Sequence, residues 1–293
     1  MKIVFIGSVA FSAEALRELI AMQAEVVGVC TLAESRVNSD HVDLAPIAKA
    51  AGIPVRYTPD LNAQETLRWI QSCAPDVIFC FGWSRLLREP LLTLPRLGVI
   101  GFHPAALPAN RGRHPLIWAL VLGLSETAST FFIMDTGADS GDILSQRAVP
   151  ILPTDDAADL YRRVTGVALA QLRDFVPQLA TGVVPRQPQD TRCANVWRKR
   201  GQADGRIDWR MAAVSIHNLV RGLTHPYVGA HFELGGDDIK VWRTAVEDNV
   251  PPNLEPGKVL DSNDTGALIK AGVGAVRLLE IEPLVTLQPG SYL

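Results

Sequence analysis

The chain has 293 residues, 47% hydrophobic and 20% charged, with a net charge of −3 and a pI of about 6.1. That length accommodates one large domain or two and a real core. The acidic balance excludes a global basic footprint for nucleic acid, and no apolar run approaches the ~20 residues of a membrane span. The chain opens directly on a strand pattern rather than the charge-then-apolar pattern of a secretory signal. Four cysteines form no CxxC pair. Cys30 and Cys80 lie in apolar runs and are expected as buried free thiols, which suits a reducing cytosol and a cytoplasmic location.

In chain order, residues 2–6 (KIVFI) read as a strand ending at Gly7. Phe11, Ala15, Leu16, Leu19 and Ile20 follow at helical spacing, and 25–31 reads as the next strand. The Gly7-Ser8 turn therefore opens a helix, either as a plain tight turn or as an anion contact through its N–H groups. Residues 33–43 read as a polar loop. Helix 44–51, strand 53–57, helix 62–73, strand 76–81, helix 86–92 and strand 98–102 come next. Helix 115–123, strands 127–134 and 143–149, and helix 156–180 complete a run of alternating α and β segments. That alternation implies an α/β, Rossmann-like, mostly parallel sheet covered on both faces. After Gly182 the character changes. A polar, basic connector at 184–206 leads to helix 211–222 and five short β-like runs punctuated by Gly and Pro. These imply a small β-rich, barrel-like C-terminal domain over 207–293, following a catalytic domain over 1–183.

Chemistry concentrates between Gly98 and Asp142. His103 ends a strand, a basic turn follows at Arg111-Gly112-Arg113-His114-Pro115, and Asp135, Asp139 and Asp142 close the segment. Ligands of open α/β sheets bind outside the carboxyl ends of the strands. His103 is either a satisfied structural histidine or half of an acid/base pair. Asp139 is either a turn former or the carboxylate that orients the imidazole. No metal-ligand spacing, P-loop or nucleophile elbow occurs, so no metal is expected. Trp197-Arg198-Lys199-Arg200 reads as a solvated linker or as a clamp for a phosphate-bearing substrate.

The run His103-Pro104-Ala105-Ala106-Leu107-Pro108, then Arg111-Gly112-Arg113, Pro115 and Trp118, closing on Asp139-Ser140-Gly141-Asp142-Ile143-Leu144, resembles the folate-dependent formyltransferases. The C-terminal part, with Ile207-Asp208-Trp209 and Pro256-Gly257-Lys258-Val259, is similar to the family's small C-terminal domain. The resemblance implies N10-formyltetrahydrofolate as cosubstrate and His103 and Asp139 as catalytic residues. It also implies a folate pocket built from Arg85, Leu86, Leu87, Arg113, Asp135, Thr136, Gly137 and Ala138. Core packing at a helix start is the alternative for Leu86 and Leu87. The family pattern places an asparagine two residues before the histidine, and Gly101 stands there instead. Losing one such oxyanion donor costs roughly 10²–10³ in rate, so Asn110, His114 or a water is expected to compensate, unless the protein is an impaired binding homologue.

For the acceptor, the net acidity argues against tRNA. The expectation is the primary amine of a nucleotide-linked amino sugar destined for surface polysaccharide. Gly7, Ser8, Trp83, Trp197, Arg198, Lys199 and Arg200 would contact this substrate, with no nucleic-acid or membrane partner and room for a homodimer. Methionyl-tRNA is the alternative acceptor.

Overall fold

The computed structural model describes residues 1–35 and 39–293. Part of the expected 33–43 loop, residues 36–38, lies outside that set. The first half builds β1 (Ile3–Gly7), α1 (Ala10–Ala21), β2 (Val26–Thr31), α2 (Ala45–Ala50), β3 (Val55–Tyr57), α3 (Gln64–Ser72), β4 (Val77–Phe81), α4 (Glu89–Leu92) and β5 (Val99–His103). Then come β6 (Arg111–Gly112), α5 (Pro115–Val121), β7 (Glu126–Ile133), β8 (Ile143–Pro150), α6 (Ala157–Ala180) and β9 (Val196–Trp197). The remainder is α7 (Ala213–Leu223), β10 (Ala230–Leu234), β11 (Asp237–Glu247), β12 (Val259–Asn263), β13 (Gly266–Lys270) and β14 (Ala275–Glu282).

The main sheet runs β3-β2-β1-β4-β5-β7-β8. The β1–β2, β1–β4, β2–β3 and β4–β5 pairs are parallel, and β5–β7 is antiparallel. β1 and β4 are buried at every residue, as strands covered on both faces must be. Beneath the site, Phe11, Phe81, Phe102 and Phe131 form a ring cluster with centroids 4.1–6.5 Å apart. Phe175 of α6 closes on Phe131 at 4.9 Å. This aromatic block fixes the carboxyl ends of β4 and β5, where the site forms.

One element is shorter than its periodicity suggests. The expected helix 86–92 is only α4, residues 89–92, with Pro90 in its first turn. Asn62 holds the preceding chain open, accepting from Arg88 N at 2.8 Å and donating to Leu86 O at 3.2 Å. Side-chain capture of main-chain groups competes with helix formation.

Two compact units interleave in sequence. One comprises Met1–Pro115, Thr127–Val149 and Arg162–Trp197; the other comprises Leu116–Glu126, Pro150–Tyr161 and Arg198–Leu293. The boundaries expected at 183 and 206 are linear; the units are not. In the second unit, an antiparallel sheet runs β10-β11-β14-β13-β12. Its core gathers Ile216, Leu219, Val220 and Leu223 of α7 with Phe232, Val241, Ile269, Val276 and Leu278. Among the described residues no helix is long and apolar enough to cross a membrane.

Candidate active site

β5 delivers His103 at its carboxyl end, 4% exposed. The imidazole Nε2 lies 2.7 Å from the Asn110 carbonyl, so that nitrogen carries the hydrogen. Nδ1 faces the Asp139 carboxylate at 3.6 Å, beyond hydrogen-bond distance. The Asp139 side chain is 21% exposed, so the carboxylate is the open end of the pair. Its Oδ2 accepts from Gly112 N at 2.9 Å. Asp139 sits at φ +54°, a strained conformation for a residue with a Cβ.

The basic turn is held by a segment that the sequence presents as a connector. β6 pairs in parallel with β9, Arg111 opposite Val196 and Gly112 opposite Trp197. The Asn110 N–H donates to Asn195 Oδ1 at 2.7 Å. The Asn110 N–H and carbonyl are thus both engaged, and this residue serves the site through its main chain. Gln189 joins Arg111 to the Asp139 loop. Gln189, Asn195 and the β6–β9 ribbon escape sequence reasoning because a polar stretch with no apolar period carries no register signal.

Gly101 has a steric explanation. It lies directly opposite Phe132 on β7. A Cβ at Gly101 would stand 2.8 Å from the Phe132 ring and 2.9 Å from Met134 Cγ. The space of the missing asparagine is therefore filled by an aromatic ring covering a cross-strand glycine, a known way of stabilising glycine in sheets.

The expected folate wall divides. Leu87 is buried in a core cluster with Leu91 and Val99, whereas Leu86 is 61% exposed. Arg85 donates to the Pro59 carbonyl at 2.6 Å, and Arg113 to the Ser84 carbonyl at 2.8 Å, which ties the basic turn to the loop after β4. Asp135 folds its own turn, its Oδ1 accepting from Gly137 N at 2.9 Å and Ser140 Oγ at 2.7 Å. Thr136, Gly137 and Ala138 are exposed beside it. The exposed residues 136–138 and Leu86 leave surface beside the His103–Asp139 pair that suits a polar-edged ligand.

Several residues expected to meet the acceptor are committed elsewhere. Gly7 and Ser8 are buried. The Val9 N–H that begins α1 donates to Ser12 Oγ at 3.3 Å, and the Ala10 N–H to the Asp40 carbonyl at 2.9 Å. His41 occupies the Ser8 carbonyl at 2.9 Å. The turn is therefore a tight βα connection whose donors serve the chain itself. Trp83 is half-buried against the cluster that holds Leu87. Trp197 is half-buried in β9. Arg198 pairs with Asp204 and holds that carboxyl well below the usual carboxylate range. Arg200, 8% exposed, lies 4.6 Å from the Trp118 ring centroid and donates to the Asp204 carbonyl. Only Lys199 of the three cations lacks such an anchoring contact among those resolved, and it is exposed. The basic run builds a stacked, paired structure in the second unit rather than a ready fork for phosphate. Among the described residues no group of three or more His, Cys, Asp or Glu is arranged to hold a metal ion.

A carboxylate–imidazole pair at the carboxyl end of a mostly parallel sheet is suited to handling protons. The chain belongs to the formyl transferase family: the family's model matches residues 1–174, and that of its C-terminal domain matches residues 200–285. A methionyl-tRNA formyltransferase of Geobacter sulfurreducens is 32% identical over 286 residues, covering 96% of this chain and 89% of the relative. Four other curated methionyl-tRNA formyltransferases are 30–32% identical. Among solved structures, WlaRD, a sugar 3N-formyl transferase with dTDP and 5-N-formyl-THF, superposes with TM-score 0.72 at 15% identity, covering 97% and 99% of the two chains. HypX from Aquifex aeolicus with tetrahydrofolic acid gives 0.70 at 20% identity, over 96% of this chain and 44% of that one.

These relatives overturn the expected nucleotide-sugar acceptor and, with it, the argument against nucleic acid. The sugar enzymes share the fold at low identity, whereas the relatives of higher identity are named for methionyl-tRNA. Net charge does not decide the acceptor, because binding depends on where the charges lie, and a sum of −3 contains no positions.

Proposed function

We propose that the chain transfers a formyl group from N10-formyltetrahydrofolate to the amine of methionyl-tRNA, in the cytoplasm. The observation that carries this reading is the 30–32% identity to methionyl-tRNA formyltransferases, which extends across both units. Leu86, Arg113 and residues 135–138 would hold the folate. When bound, it supplies an activated formyl carbon. The attacking amine must be neutral; as its bond to the formyl carbon forms it loses a proton, the bond from that carbon to folate N10 breaks, and N10 gains a proton as tetrahydrofolate leaves, so the proton count is unchanged. Asp139, the open end of the pair, accepts that proton. His103 lies behind it, with Nδ1 facing the carboxylate at 3.6 Å. Its Nε2–H is committed to the Asn110 carbonyl, so it becomes a donor to the oxygen on which negative charge develops only by exchanging that contact. The missing Gly101 side chain leaves this donor more to do than in a site with an asparagine.

The direct test incubates the protein with N10-formyltetrahydrofolate and charged initiator tRNA. Formylmethionyl-tRNA should accumulate. Retained folate binding with no formyl product would sink the acceptor assignment.

A further inference from the structure

Gln189 lies in the stretch between α6 and β9, outside every motif of the sequence. Its carboxamide nevertheless reaches the machinery on both sides. Nε2 donates to the Asp139 carbonyl at 2.9 Å and to the Gly141 carbonyl at 2.6 Å. Oε1 accepts from Arg111 Nε at 3.1 Å and from the terminal Arg111 nitrogen at 2.6 Å. Two carbonyls require a donor and a guanidinium requires an acceptor, so one orientation of the amide satisfies both sides. Arg111 adjoins Gly112, whose N–H holds the Asp139 carboxylate. Gln189 therefore grips Asp139 twice, through its main chain and through the strand that carries its hydrogen-bond donor.

The loop needs such a grip. Asp139 is in the left-handed region at φ +54°. Two residues on, a Cβ at Gly141 would fall far inside contact with the Ile133 carbonyl, so the main chain there is pressed against β7. Residues in sparsely populated conformations persist only where their surroundings over-determine them. Arg111 is 9% exposed, and a buried guanidinium requires acceptors.

We propose that Gln189 is a positioning residue for formyl transfer, holding the Asp139 carboxylate at its working distance from His103. This rests on the catalytic reading of the His103–Asp139 pair given above. Gln189 touches no reacting atom; it acts through the 139–141 main chain and Arg111.

Two variants separate positioning from bulk stability. Gln189→Ala removes both sets of contacts. Gln189→Glu keeps a partner for Arg111 but sets carboxylate oxygens against the two carbonyls. Both should lower kcat by about 10- to 100-fold, the scale of a misplacement of about 1 Å. KM for N10-formyltetrahydrofolate should change less than kcat, because Gln189 bonds the 139 and 141 carbonyls and no group of the folate-facing stretches 84–87 and 135–138. The Glu variant should unfold close to the parent while sharing the kinetic loss, which a purely structural role does not produce. An independent readout is amide hydrogen exchange at Gly112, whose N–H bonds Asp139; exchange should accelerate in both variants. Parent-like kcat in both variants, a loss confined to KM, or unchanged Gly112 exchange would each overturn the proposal. The exchange measurement needs no acceptor. If the parent formylates nothing, the functional reading fails while the link from Gln189 to Asp139 is still decided.

Discussion

His103 and Asp139 differ in exposure: the imidazole side chain is 5% exposed and the carboxylate side chain 21%, so in the proposed reaction the carboxylate is the end that meets the amine. Asp139→Asn keeps the Gly112 contact but cannot take a proton. It should lower kcat by about 10²–10⁴, the range for a general base, with little change in folate binding by fluorescence titration. Parent-like turnover would remove Asp139 from the chemistry. Gly101 supports a second expectation. A Cβ there meets Phe132 and Met134 within 2.9 Å, so Gly101→Ala should destabilise by about 1–3 kcal/mol, read from urea unfolding. For the same reason Gly101→Asn alone should transfer formyl no faster than the parent. A rate gain in that single variant would show that Phe132 yields its place. The glycine was legible in the sequence as a departure from a pattern. The ring that fills its space was not, because Phe132 is 31 residues away and meets it only through β5–β7 pairing.

At the scale of elements, the two-residue ribbon of β6 and β9 carries more than its length suggests. Gly112, at φ +104°, has no room for a Cβ, which would fall on the Trp197 carbonyl. Gly112→Ala should strain or break the ribbon, costing about 1–3 kcal/mol in urea unfolding, and should release the N–H that holds Asp139, so activity falls with stability. Full activity in this variant would show that the ribbon does not position the carboxylate. The buried strands β1, β4 and β5 are readable as apolar runs, and the antiparallel strands of the second unit as short runs between turn residues. β6 and β9 are not, since two residues hold no period and their pairing spans more than 80 positions.

At the scale of the molecule, the second unit carries its own pH response. Burial, and then the Arg221 charge, lowers the pKa of His217, whose Nδ1 meets Thr244 Oγ1 at 2.9 Å. Burial, and then Lys240, lowers that of His231. A lowered histidine pKa means that the fold favours the neutral ring. Its stabilisation is complete above the unfolded value of about 6.5 and is lost as pH falls from there through the folded value. The urea midpoint of this unit should therefore be lower at pH 5.5 than at pH 7.5, and replacing both rings with glutamine should flatten the difference. An unchanged slope would assign the response to other groups.

The sequence by itself determined the family and most of the order of elements, and it singled out His103 and Asp139 as candidates, because apolar period and motif spacing are local properties of the chain. Only the tertiary structure decided which cations are spoken for, what fills the place beside Gly101, and that the polar stretch around Gln189 and Asn195 supports the site. Those outcomes depend on side chains brought together from far apart, where packing and hydrogen-bond satisfaction, rather than sequence spacing, select the partners.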